Sequence, residues 1–159
     1  MRVLLRSRTP AWLLLALLLA GGCRPAGCTC PYAENFDPAA ELDNGACLLF
    51  RDRFVGSFRA EERCGGESWG YLLQVEAAEG RADAVRISNL GAFGVSFLAR
   101  AAQARLEIPV QVIHIQGIAT EVSGEGRWVG GELHLSYHYA AGGSADTCTA
   151  RAARLLPGK

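Results

Sequence analysis

This chain of 159 residues predicts an all-β fold, an antiparallel meander of about eight strands forming a small barrel or sandwich after a turn-rich segment. Two long runs and the punctuation between shorter ones carry that expectation. Residues 105–112 alternate strictly, with Leu106, Ile108, Val110 and Val112 facing one way and Arg105, Glu107, Pro109 and Gln111 the other. Residues 131–139 do the same, Leu133, Leu135, Tyr137 and Tyr139 opposing His134, Ser136 and His138. A period of two with one apolar face marks a half-buried antiparallel strand. Weaker runs at 52–63, 71–76, 84–88, 94–100, 117–126 and 147–155 are separated by turn residues such as Cys64-Gly65-Gly66, Glu79-Gly80, Asn89-Leu90-Gly91, Gly130-Gly131 and Gly142-Gly143-Ser144.

In chain order, residues 1–22 come first. Arg2, Arg6 and Arg8 precede an unbroken apolar run from Ala11 to Ala20, and Gly21-Gly22 follows. That is the order of an export signal. The run holds about ten residues where a bilayer-spanning helix needs about 20, so a leader is expected here rather than a permanent transmembrane helix. Ala20-Gly21-Gly22-Cys23 resembles the lipobox of bacterial lipoproteins. The resemblance implies that Cys23 becomes the N-terminus and carries acyl chains, tethering the protein to a membrane; the alternative is ordinary cleavage by the secretory signal peptidase. Several buried acyl chains, at roughly 0.8 kcal/mol per CH₂, anchor a protein effectively permanently. The whole chain has 16 basic and 16 acidic residues, and without the leader 13 and 16 remain, a net charge of −3. A mildly acidic chain with no basic run lacks the electrostatic footprint of a nucleic-acid binder. The six cysteines agree with export; with Cys23 lipidated, five remain and one thiol is left over.

Residues 23–49 form a tether and a turn-rich segment containing Pro25, Pro31 and Pro38. Residues 27–47 read GCTCPYAENFDPAAELDNGAC. This resembles a motif of exported Bacteroidetes-type proteins, G-C-T-D-P-x-A-x-N-Y-D-P-x-A-x-x-D-D-G-S-C. Gly27, Cys28, Thr29, Pro31, Ala33, Asn35, Asp37, Pro38, Ala40, Asp43, Gly45 and Cys47 are identical, Phe36, Asn44 and Ala46 are substitutions, and Cys30 replaces an Asp. The resemblance implies a Cys28–Cys47 bridge, which leaves Cys30 as the candidate spare thiol or as a competitor of Cys28. It implies no activity. Asn35, Asp37, Asp43 and Asn44 are candidate oxygen ligands for calcium; the alternative is that Asp-Pro and Asp-Asn-Gly build turns. Arg24-Pro25-Ala26 lacks the acidic residues that accompany surface export in that bacterial group, which favours a periplasm-facing position in the cell envelope.

From residue 50 to 159 the texture becomes strand-like. Phe54-Val55-Gly56-Ser57-Phe58 looks like the F-x-G-x-aromatic opening of lipocalins and related calycin barrels; the plainer reading makes Phe54 and Phe58 core residues of an ordinary first strand. Cys64 ends that strand and Cys148 starts the last. In an up-and-down barrel these ends are neighbours, so a Cys64–Cys148 bridge is expected across the seam. Residues 97–106 (FLARAAQARL) have helix-forming composition, but the flanking alternation favours two strands joined by a turn. Pro109 donates no hydrogen bond and so predicts an edge or a bulge.

Little in the chain suggests catalysis. His134 and His138 share a face, but four residues along a strand separate them by about 13 Å, too far to share a zinc. His114 joins them only if the tertiary fold brings it there. Ser136 has no nucleophile elbow. The expectation is a non-catalytic binding or structural module of the cell envelope, whose partner is an envelope protein; the alternative is a lipocalin-like carrier of a small apolar ligand. A cavity above roughly 300 Å³ favours the carrier, an exposed apolar patch the interaction module.

Overall fold

The computed structural model describes residues 24–156; the leader and Cys23 lie outside the described residues. Eight antiparallel strands close into a barrel: β3 (Gly56–Cys64), β4 (Glu67–Ala77), β5 (Ala84–Ser88), β6 (Ser96–Ala102), β7 (Arg105–Ile115), β8 (Ile118–Val129), β9 (Glu132–Ala141) and β10 (Ser144–Arg154). Each pairs with the next, and β10 returns to pair with β3. The barrel alternative is therefore the fold, and the sandwich is not. Alternation explains it strand by strand. On β3, Phe58, Ala60, Glu62 and Cys64 are buried while Ser57, Arg59, Glu61 and Arg63 are exposed. On β9, Leu133, Leu135 and Tyr137 are buried while His134, Ser136 and His138 face out. The barrel is apolar inside and charged outside, the reverse of a membrane-crossing barrel. Among the described residues no helix is long and apolar enough to cross a membrane.

Residues 97–106 are strand, turn and strand, with Gln103 at φ +54° in the turn. Ala101 pairs with Leu106 across it, so pairing overrides the local helix preference. Asp52 and Arg53, expected at the start of the first strand, belong instead to a 3₁₀ turn at Phe50–Arg53.

Pro109 produces a bulge, and the bulge corrects the expected facing of β7. The β7–β8 register shifts between Ile108 and Gln111. Leu106 and Ile108 point into the core, but Val110 and Val112 are turned outward and are 67% and 63% exposed. An extra residue in one strand exchanges inside for outside in everything beyond it. Past the bulge the β6–β7 ladder stops at Arg100–Glu107. There the Gln111 side chain stands in for a strand: its Oε1 accepts from the Leu98 N–H at 3.1 Å and its Nε2 donates to the Leu98 carbonyl at 2.9 Å.

The barrel is filled by side chains, as barrels of this size can be. On β8 the inner wall narrows to Gly124, where a Cβ would lie 2.4 Å from the Ser136 carbonyl oxygen; only glycine permits that approach. The lower end is sealed by Phe54 and Phe58, both fully buried, which meet Trp128 edge to face at 6.4 and 6.2 Å. Arg154 lies over the Phe58 and Trp128 rings, 5.3 and 5.0 Å from their centroids, and donates to the Arg53 carbonyl. Arg51 reaches the carbonyls of Ala78 and Arg81 and fixes the neighbouring loop.

The N-terminal segment sits against this lower end. A two-residue parallel pair, β1 (Ala26–Gly27) with β2 (Leu42–Asp43), organises it. Phe50 N–H donates to the Tyr32 carbonyl and Arg53 pairs with Glu34, joining the segment to the barrel.

Candidate functional site

The two disulfides are Cys28–Cys47 and Cys64–Cys148, with Cα atoms 5.0 and 4.4 Å apart. The second lies on the seam between the first and last barrel strands, where it was expected. Cys30 is a free thiol, half-buried. The four calcium candidates each accept a hydrogen bond from the backbone through one oxygen. Asn35 Oδ1 accepts from the Leu48 N–H at 2.8 Å while its Nδ2 donates to the Ala46 carbonyl. Asp37, Asp43 and Asn44 each accept from a backbone N–H two residues on, at 2.8–2.9 Å. The last three are Asx turns, and Asn35 ties the two ends of the segment together. His134 and His138 stand on the outer wall, where their neighbours are Glu132, 3.5 Å from His134 Nε2, and Thr147, 3.4 Å from His138 Nδ1. The two histidines do not converge with each other or with Ser136 on a reaction centre; Ser136, His134, Thr149 and Arg151 line an open surface groove.

The polar cluster that the fold does assemble is inside the barrel, near its upper end. Glu62, 1% exposed, projects inward from β3. Tyr137 from β9 donates to its Oε1 at 2.6 Å and Tyr71 from β4 donates to its Oε2 at 2.5 Å. Both are at the short end of the O–H···O range. Trp69 is the direct cross-strand partner of Glu62 on the same inward face. Burial first, and then the bond to Glu62, pushes both phenols well above the ordinary tyrosine range, so both remain donors at neutral pH. Among the described residues no basic side chain pairs with Glu62. A buried carboxylate is costly unless its charge is met, and two neutral donors meet it only in part. Cys64 and Cys148 sulfurs lie beside it, but their bond to each other removes them as metal ligands.

A loop covers this cluster. Residues 89–95 fold over the upper end with Leu90 and Gly91 buried, and Asn89, Gly91, Ala92 and Gly94 all have positive φ. For Ala92 that conformation is strained by about 1 kcal/mol or more, whereas asparagine adopts it readily. Asn89 holds the loop, its Nδ2 donating to the Leu72 carbonyl at 2.7 Å and its Oδ1 accepting from the Gly94 N–H at 3.1 Å. A Cβ on Gly91 would lie 2.7 Å from the Tyr137 hydroxyl and 2.6 Å from the Phe93 ring. Glycine lets the loop seat directly on the Tyr137–Glu62 bond. Beside it, Phe93, Ile115, Ile118, Thr120, Tyr139 and Ala141 line an apolar pocket of about 150 Å³, and Phe93 stacks edge to face on Tyr139 at 5.7 Å.

Sequence reasoning about histidines, serine and turn carboxylates passes over Glu62. The mark it leaves is its phase, two residues from Ala60 and Cys64 and four from the core residue Phe58. The tyrosines carry no such mark, because a tyrosine on an apolar face reads as core. The fold and this cluster define a small closed antiparallel barrel with a buried, phenol-held carboxylate at one end. No protein-family model and no curated protein matches this chain.

Proposed function

We propose that the protein is a cell-envelope lipoprotein, anchored to the membrane through Cys23, whose barrel is a non-catalytic binding module. The observation that carries this reading is the Glu62–Tyr71–Tyr137 cluster: a fixed recognition group at the upper end of an otherwise apolar barrel, under a loop. The tether supports it. The segment that follows Cys23 packs at the lower end, so anchoring there turns the loop-covered end away from the membrane. Two disulfides suit an oxidising compartment. The resemblance of residues 27–47 to a motif of Bacteroidetes-type exported proteins supports that setting.

The alternative, a carrier of a small apolar ligand, has only the pocket beside Tyr139 to draw on. Its volume of about 150 Å³ is below the roughly 300 Å³ of a drug-sized site, so such a ligand is no larger than a single ring. Fractionation of cells expressing the full chain tests the tether: the protein is expected in the membrane fraction with an acylated N-terminal peptide beginning at Cys23, and Cys23→Ser is expected to release it. Recovery of unmodified wild-type protein in the soluble fraction would refute the anchor.

A further inference from the structure

We propose that the upper end of the barrel binds a small organic cation, a protonated primary amine with an apolar or aromatic body, whose ammonium meets Glu62. The inference deepens the binding-module reading and rests on it. Glu62 is a buried carboxylate with two neutral donors and no cation of the protein's own. A ligand ammonium supplies the missing charge and bonds to the lone pairs that the phenols leave free. An anion is repelled there, and a bare divalent metal ion finds one carboxylate and a disulfide.

The walls suit the same ligand. Trp69 lies opposite Glu62 and Tyr71 is bonded to it, while Phe93 and Tyr139 are half-buried at the same end. Aromatic faces attract an ammonium, most strongly where water is excluded. The neighbouring pocket, about 150 Å³, has the size of an apolar cavity that takes one benzene ring. The pocket does not reach the carboxylate in the closed form: its lining is Phe93, Ile115, Gln116, Ile118, Thr120, Tyr139 and Ala141, and Gly91 packs between the Phe93 ring and the Tyr137 hydroxyl. Glu62 is covered in the closed form, so entry requires the 89–95 loop to swing out. That movement has to release Asn89 from the Leu72 carbonyl, Phe93 from the Tyr139 ring and Leu90 from the core, and Ala92, at φ +59°, is the loop's one strained non-glycine residue.

The test is isothermal titration of the full chain, kept in nonionic detergent, with 2-phenylethylamine and with its neutral counterpart 2-phenylethanol. A charge-assisted bond to Glu62 predicts that the amine binds about tenfold or more tightly than the alcohol. Glu62→Gln is expected to bring the amine down to the alcohol's level. Phe93→Ala, which leaves the carboxylate in place, is expected to weaken both ligands and keep the preference; together with the wild-type comparison it decides the matter even where Glu62→Gln does not fold. Equal binding of amine and alcohol overturns the ammonium site while leaving a binding module standing. Binding of neither overturns the site, and the anchor is judged separately by the fractionation of wild type and Cys23→Ser.

Discussion

At the lower end of the barrel Phe54, Phe58 and Trp128 interlock and Arg154 covers their faces; at the upper end Glu62 is held by two phenols under a loop with four positive-φ residues. The lower closure draws on apolar area, about 1.5–3 kcal/mol for each fully buried phenylalanine, and its one cation has an outlet to a backbone carbonyl. The upper closure gains much less. A net hydrogen bond to a charged group is worth about 1.5–3 kcal/mol, and burying the carboxylate takes back a large part of that. Interlocked aromatic packing is found where the N-terminal segment joins, and the buried polar arrangement stands at the opposite end. That division suits a module held at one end and used at the other.

Substitutions can break the contrast. The largest effect is expected from removing the bridge that staples the upper end: Cys64→Ala with Cys148→Ala frees a loop with a sequence separation of 84. The chain-entropy argument puts the loss at about 4.5 kcal/mol in urea unfolding, against about 3 kcal/mol for the Cys28–Cys47 pair. If the two pairs cost the same, seam closure is not what the longer bridge does. Next comes Phe58→Ala at the lower end, expected to cost about 3–5 kcal/mol by thermal or urea melting; a loss below about 1 kcal/mol would show that the end is not packed as described.

Tyr137→Phe leaves Glu62 Oε1 without its donor and is expected to cost about 2 kcal/mol, with Tyr71→Phe costing less because Tyr71 is only half-buried. The same phenols give a pH test with a definite sign. Their folded-state ionisation is pushed up, so the unfolded chain loses these protons first. Their contribution is complete below about pH 10 and declines as pH rises above it, by about 1.4 kcal/mol per pH unit for each phenol. Wild type is expected to lose urea stability more steeply from pH 10 to 11 than Tyr137→Phe, and parallel curves would contradict the buried donor. The smallest effect is at Arg154→Ala, expected to cost about 1 kcal/mol from its lost cation–π contacts, read as a small shift in melting temperature.

How much of this was legible varied with the range of the interaction. Eight strands could be located because alternation is local and turn residues punctuate it. The Cys64–Cys148 bridge could be inferred because an up-and-down order makes the first and last strands neighbours. Pro109 announced an edge or a bulge, yet the facing of Val110 and Val112 did not follow, since one inserted residue inverts the phase beyond it. Asn35, Asp37, Asp43 and Asn44 offer oxygens to a ligand or to a turn, and only the structure shows which backbone N–H groups they bond, those of Leu48, Ala39, Gly45 and Ala46.

By itself, then, the sequence determined the strand pattern, the compartment signals and the cysteines available to bridge, because each rests on neighbours in the chain or on composition. Only the tertiary structure decided that Glu62, Tyr71 and Tyr137 meet and that the 89–95 loop rests on them. Those facts depend on which strands lie across the barrel from one another. A hydrogen bond between residues 75 positions apart leaves no periodic trace; it exists only once the sheet has closed.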